Sequence, residues 1–269
     1  MNDYYKDLLQ NKEHTKNFFR WITDDQFDYI KQNFHDLECD LSAFISYSNK
    51  DKKIAGIVKK ALSNLGIDSF LAHEDITPSQ EWQDEIVNKI NNCNIFVPLI
   101  SDNFRESDWA SQEIGAAFIK GVDIIPISFY SADQTFVTPY GFISKYQTLR
   151  WKIDPGIPSN YQYKIVLDIQ NKIAQALKSK NNIVEKVRNC LVNSFVNSSS
   201  FQDTNNKSES IDNLNPLGKE RLTILILGYI LNNQIKNAFK ASDLVIKLIK
   251  DNKEELDDIL ISIFEKSNL

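Results

Sequence analysis

Between Leu41 and Lys178, short apolar runs of strand length alternate with amphipathic stretches of helical spacing, which predicts an α/β protein built on a parallel sheet. Two further observations point the same way. The runs "LSAFIS", "NIFVPLIS" and "VDIIPIS" are apolar almost throughout, as strands covered on both faces are. The stretches between them repeat apolar residues three and four positions apart, the period of a helix packed on one side. Helical patterns also flank this region at both ends.

In chain order, residues 1–39 read as a lead-in of two helices, with "TDDQFDYIKQNF" opening on Thr23 as N-cap and acids in its first turn. "LSAFIS" (Leu41 to Ser46) is the first strand. The next helix carries Ile54, Ile57, Val58, Ala61, Leu62 and Leu65 on one face and stops at Gly66, a C′ residue type. "IDSFL" is the second strand, and "AHEDITPSQE" is a polar loop containing Pro78.

Trp82, Ile86 and Ile90 then recur at four-residue intervals in the second helix of the alternating region, and "NIFVPLIS" is the third strand. Pro98 inside that strand cannot donate to a ladder, so an irregularity or an unpaired side is expected beside it. "SDWASQEIGAAFIKG" is the third helix, capped near Ser107 or Asp108, and Val122 to Ser128 is the fourth strand. A fifth strand falls around "YQTLRW", and the last helix runs through Tyr163, Val166, Ile169, Ile173 and Ala176. Five strands with this alternation imply a flavodoxin-like, doubly wound sheet.

Beyond residue 180 the texture changes. "VNSFVNSSSFQDTNNKSESIDNLNPLGKE" is rich in Ser, Asn and Asp, so residues 181–218 read as a linker or long loop. Residues 219–269 resume as a C-terminal helical segment, with helices expected over Lys219 to Phe239 and Ser242 to Phe264. The expected domains are thus 1–39, 40–180, 181–218 and 219–269.

Composition narrows the function classes. With a formal net charge of −5 over 269 residues, nucleic acid is not expected as a partner, because binding driven by phosphate needs clustered Lys and Arg. The three cysteines are odd in number and widely spaced, which suggests reduced thiols of a cytoplasmic protein. The opening "MNDYYKDLLQNKEH" lacks the basic-then-apolar order of a secretory signal. "LTILILGYIL" (Leu222 to Leu231) has about half the length of a spanning helix, so no membrane partner is expected and the segment reads as a core or interface helix.

Several chemistries lack their motifs. Neither GxGxxG nor GxxxxGK[ST] occurs, so the Gly-rich cradles for dinucleotides and triphosphates are missing. His14, His35 and His73 are far apart and no HExxH occurs, so no metal is expected. GxSxG is absent too, which disfavours acyl hydrolysis.

What remains is the pair Trp109 and Glu113 in "ESDWASQEIGAAFIKG", four positions apart and therefore on one helical face. In an open α/β sheet, ligands bind beyond the carboxyl ends of the strands, where "SYSNKD", the loop after the second strand and the start of the third helix converge. A carboxylate half-covered by an indole there would have a raised pKa and a strengthened attraction for a cation. That suits cleavage of an N-glycosidic bond, in which a fixed carboxylate stabilises an oxocarbenium-like ribosyl centre and the indole stacks on the departing base. The alternative is that Trp109 packs and Glu113 is a solvated helix acid.

Taken together, "AFISYSNKDK", "GIDSFLAHEDITPSQEWQDEI", "FVPLIS" and "WASQEIGAA" followed by "DIIPI" resemble a Toll/interleukin-1 receptor (TIR) domain of bacterial type over roughly residues 40–180. "FISYS" resembles the first-strand box, "HEDITPSQ" the BB loop, and Trp109 with Glu113 the WxxxE of TIR domains that cleave NAD+. The resemblance implies Glu113 as the catalytic residue, Trp109 and Trp82 as base-stacking positions, and Ser46 and Tyr47 as substrate contacts. It implies NAD+ as substrate rather than cofactor, release of nicotinamide, and ADP-ribose or a cyclic or modified ADP-ribose as product. Antiphage defence, self-association through TIR domains and an effector protein reached by a diffusible product are implied in the same way. A non-catalytic TIR adaptor acting through homotypic assembly is the alternative, and a TIR-like fold processing another nucleotide is a third. Two departures stand out: Ala72 where many relatives carry an acid, and Ser79 where they carry glycine.

Overall fold

The computed structural model describes residues 3–72, 82–130, 135–153 and 162–268. The chain forms two compact units, one of residues 40–187 and one of residues 1–39 with 188–269.

The unit of residues 40–187 is the predicted α/β body. Its strands are β1 (Ser42–Ser46), β2 (Asp68–Leu71), β3 (Ile95–Ile100), β4 (Asp123–Ile124), β5 (Ile127–Tyr130) and β6 (Leu149–Lys152). All pair in parallel, in the order β2-β1-β3-β5-β6, with β4 also on β3. The fourth predicted strand is therefore present in two pieces, with Ile125 and Pro126 between them. The break has a partner across the ladder. β3 pairs with β4 at Ile95 and Phe96 and with β5 at Leu99 and Ile100, so the gap lies opposite Val97 and Pro98. The irregularity expected from Pro98 thus falls on the neighbouring strand, where Pro126 also lacks a donor.

Helix α4 (Lys52–Asn64) packs on α8 (Gln162–Lys178), while α5 (Trp82–Asn92) packs on α7 (Asp108–Lys120); the short α6 (Asp102–Arg105) follows β3. Alternation along β1 decides which side chains meet which pair. Phe44 stacks on Phe96 with ring centroids 5.7 Å apart, and both pack in one core with Ile86 and Ile90 of α5 and Ile114 and Ala117 of α7. The helix ends follow the sequence signals. After α4, the amide of Gly66 bonds the Ser63 carbonyl and that of Ile67 the Leu62 carbonyl, with Gly66 at φ +77°, a Schellman closure that favours glycine.

The second unit is helical. It holds α1 (Asp3–Gln10), α2 (Lys12–Phe18) and α3 (Asp24–Asn33), so the lead-in has three helices rather than two. Thr23 caps α3 in a reciprocal box with Gln26. The expectation of a linker over 181–218 is corrected, because α9 (Val184–Val196) and α10 (Phe201–Leu214) are helices. The reason lies in α10, which buries Thr204, Ser208 and Ser210 along with Ile211 and Leu214. Thr204 and Ser208 return their hydroxyls to the carbonyls of Ser200 and Thr204, so a polar face is buried without orphaned groups.

Helices α11 (Lys219–Leu231), α12 (Asn233–Lys236), α13 (Phe239–Asp251) and α14 (Asp258–Ser267) complete this unit. The two expected C-terminal helices are thus interrupted at Asn232 and again between Asn252 and Asp257. Every residue from Leu222 to Leu231 is buried, so "LTILILGYIL" is a core helix and not an interface. Among the described residues, no helix is long and apolar enough to cross a membrane.

Cys39 and Cys190 form a disulfide, and Cys93 is a buried free thiol. This corrects the expectation of three reduced thiols. Their wide spacing arises because a whole folded unit is inserted between them, which spacing alone does not reveal.

Candidate active site

Ser46 ends β1, two positions after Phe44, and so leaves the strand on the face covered by α5 and α7. There it meets Glu113, in the middle of α7. The Ser46 hydroxyl donates a hydrogen bond to Glu113 Oε2. Ser46 is fully buried and Glu113 is only 4% exposed.

The second carboxyl oxygen, Oε1, is also buried and has no hydrogen-bond partner among the described residues. A carboxyl in this state resists ionisation. Burial pushes its pKa up to about 7, with the Ser46 hydrogen bond acting in the opposite direction. Near neutral pH the group is thus divided between acid and carboxylate, and it holds one open acceptor position.

A cavity of about 380 Å³ lies against it, between α5 and α7. Ile86, Val87 and Ile90 form one wall; Trp109, Gln112, Glu113 and Ala116 form the other. This size is within the range of small-molecule clefts, roughly 300–1,000 Å³, and the apolar wall facing two polar groups is typical of them. Asp51 ties together the segments that follow β1 and β3. Its carboxylate accepts from Ser101 Oγ at 2.5 Å and Asn103 Nδ2 at 3.0 Å, while Ser101 Oγ caps the Phe104 amide.

Residues 43–155, which span the sheet and the cavity, match the TIR domain family. The chain carries a TIR domain. Among solved structures, it is similar to the TIR domain of the Toll-related Receptor TRR-2 from the lower metazoan Hydra magnipapillata, with 25% identity, a TM-score of 0.33, and coverage of 40% of this chain and 82% of that one. It is also similar to the TIR domains of the activated Roq1 resistosome directly recognizing the pathogen effector XopQ, with 12% identity, a TM-score of 0.31, and coverage of 79% and 99%. No curated protein matches the chain significantly.

Within the TIR domain, three of the five residues singled out from sequence come together. Ser46 and Glu113 are bonded, and Trp109, half-buried one turn before Glu113, lines the same cavity. Tyr47 is placed elsewhere. It is 2% exposed and outside the cavity's lining, because adjacent residues of an extended chain leave on opposite faces and Ser46 takes the α7 side. The Trp82 side chain lies outside the described residues, as does the whole of His73 to Gln80 with Ser79, whereas Ala72 is buried.

The sequence reading missed Gln112 and Val87. Gln112 follows Trp109 by three positions, a spacing that places it beside the indole and was available as a signal. Val87 is half exposed on α5, and no local pattern distinguishes it from a surface residue. Among the described residues, no group of three or more His, Cys, Asp or Glu side chains could hold a metal ion.

Proposed function

We propose that this protein is a TIR-domain NAD+ glycohydrolase or cyclase in which Glu113 is the catalytic residue. One observation carries the proposal: a buried carboxyl, fixed through one oxygen by Ser46 and unpartnered at the other among the described residues, lines a cavity beside the Trp109 indole. The bond broken is that between the ribosyl C1′ and the nicotinamide nitrogen. Its electron pair leaves with nicotinamide, which departs neutral, and the positive charge passes to the ribosyl centre.

Glu113 as carboxylate stabilises that centre electrostatically, at a site where burial strengthens the attraction. The cationic pyridinium of NAD+ favours ionisation of Glu113 when it binds, bringing a carboxyl poised near pH 7 into its active form. Trp109 offers its ring to the departing base. Water, or an adenine nitrogen of the same molecule, then attacks C1′ and gives up a proton, yielding ADP-ribose or a cyclic product. NAD+ serves as substrate and no further cofactor is needed. Self-association through TIR domains and antiphage defence through an effector that reads the product complete the proposed role.

Incubation of the full chain with NAD+, at high protein concentration with and without a crowding agent, tests this. Mass spectrometry is expected to find nicotinamide and ADP-ribose or an isomer of cyclic ADP-ribose, and none above background with Glu113→Gln. An assembled protein that leaves NAD+ intact would instead favour a non-catalytic adaptor.

A further inference from the structure

A second cavity, of about 830 Å³, lies at the other edge of the TIR sheet, between Ile124 and Ile125, which lead into β5, the amino-terminal end of β6 and the C-terminal half of α8. It shares no lining residue with the Glu113 cavity. Its lining is cationic: Arg150, Lys172 and Lys180 contribute three positive charges and no carboxylate joins them, in a chain of formal net charge −5. Two of these charges are answered from outside the lining, Lys180 by Asp123 at 3.3 Å and Lys172 by Asp168 at 3.8 Å. Arg150 has no ion pair among the described residues; its guanidinium stands over the Phe136 ring at 4.4 Å.

Two further features point to a ligand with more than charge. Thr148 Oγ1, in the lining, is buried and has no hydrogen-bond partner among the described residues. Buried hydroxyls are nearly always satisfied, so this one is a position where a ligand atom would complete the structure. Tyr146 supplies an aromatic face at the same wall, 5.9 Å from Lys180 Nζ.

We propose that this cavity binds a nucleoside monophosphate, independently of the Glu113 site. The phosphate is received by Arg150 and Lys172, as a guanidinium with a free fork favours. A ring or sugar polar atom completes Thr148, and the base lies against Tyr146. The volume is ample for such a ligand, since clefts of roughly 300–1,000 Å³ take molecules of this size. The position also fits a regulatory site better than a second reaction centre, because reacting ligands in open α/β sheets sit at the opposite, carboxyl edge.

Calorimetric titration of the full chain with AMP, adenosine and inorganic phosphate provides the test. AMP is expected to bind saturably, with adenosine and phosphate each weaker by roughly tenfold or more. Arg150→Ala with Lys172→Ala is expected to weaken AMP by at least about tenfold at an unchanged melting temperature, while Trp109→Ala leaves it unaltered. Thr148→Val gives a separate signature: AMP binds several-fold more weakly, yet the free protein melts at the same or a higher temperature, because a buried unsatisfied hydroxyl has been removed. The proposal is overturned by the absence of saturable AMP binding up to about 5 mM. It is equally overturned by phosphate binding as tightly as AMP, or by AMP binding that Trp109→Ala abolishes and the Arg150/Lys172 variant retains.

Discussion

Ser46 and Glu113, 67 positions apart in sequence, are joined by a hydrogen bond from the serine hydroxyl to the carboxyl group. One residue ends the first strand of the sheet and the other sits midway along α7, so the bond reports the packing of α7 on β1 and β3. It also divides the two carboxyl oxygens, one held by Ser46 and one buried without a partner among the described residues, in a side chain that lines a cavity.

Burial of Glu113 makes stability depend on pH in an unusual direction. Its pKa is about 7 in the folded state against 4.5 for the free side chain, so the folded protein holds this proton more tightly than the unfolded chain does. The associated stability is full below pH about 4.5 and is lost as pH rises through about 7, a change of roughly 3 kcal/mol. Glu113→Gln removes the slope. Urea denaturation is expected to find the variant close to the original protein near pH 5 and more stable than it near pH 8.

Trp109 lines the cavity beside Glu113, and its proposed contribution is to ligand placement. Trp109→Ala is expected to raise KM for NAD+ about tenfold, the value of a lost aromatic stack with its buried area, with a smaller effect of Trp109→Phe. Steady-state kinetics of nicotinamide release distinguishes the two.

In the helical unit, Gly228 of α11 lies directly against Val196 of α9. A Cβ at position 228 would stand 2.4 Å from Val196 Cγ1 and 2.8 Å from its Cβ. Alanine is favoured over glycine inside a helix by about 1 kcal/mol, but a clash with a β-branched, buried neighbour outweighs that gain. Gly228→Ala is therefore expected to lose about 1–3 kcal/mol, and Val196→Ala in the same chain to restore part of it; thermal melts of the three variants check this.

The disulfide joins residues 151 positions apart, yet the loop it closes is short once the TIR unit has folded, because Asp40 and Lys186 at the two ends of that unit already pair at 2.7 Å. Stabilisation at the lower end of the usual range follows, about 2–3 kcal/mol. Reductant is expected to lower the melting temperature of the helical unit, and Cys190→Ser to abolish the effect.

The TIR fold was legible where side chains obey a period. Apolar runs located the strands, Gly66 marked the end of α4, and Pro98 announced the break that splits the fourth strand opposite it. Helices α9 and α10 were not legible, because α10 buries hydroxyls that satisfy themselves on their own helix and so mimic a linker in composition. At the site, the four-residue spacing of Trp109 and Glu113 placed both on one face, and alternation from Phe44 delivers Ser46 to that face while sending Tyr47 away. On the α5 wall, Ile86 and Ile90 keep helical spacing in the sequence, whereas the half-exposed Val87 follows no local pattern.

The central claim is that Glu113 ionises to act, and its most direct test is the pH dependence of kcat/KM for nicotinamide release from NAD+ by the original protein, Ser46→Ala and Glu113→Gln. The Ser46 bond holds the carboxyl's pKa down, so its loss raises that value. The expected result is a rate that rises with a midpoint near pH 7, a midpoint moved upward in Ser46→Ala, and no activity in Glu113→Gln at any pH. A Glu113→Gln protein that releases nicotinamide as fast as the original would contradict the account.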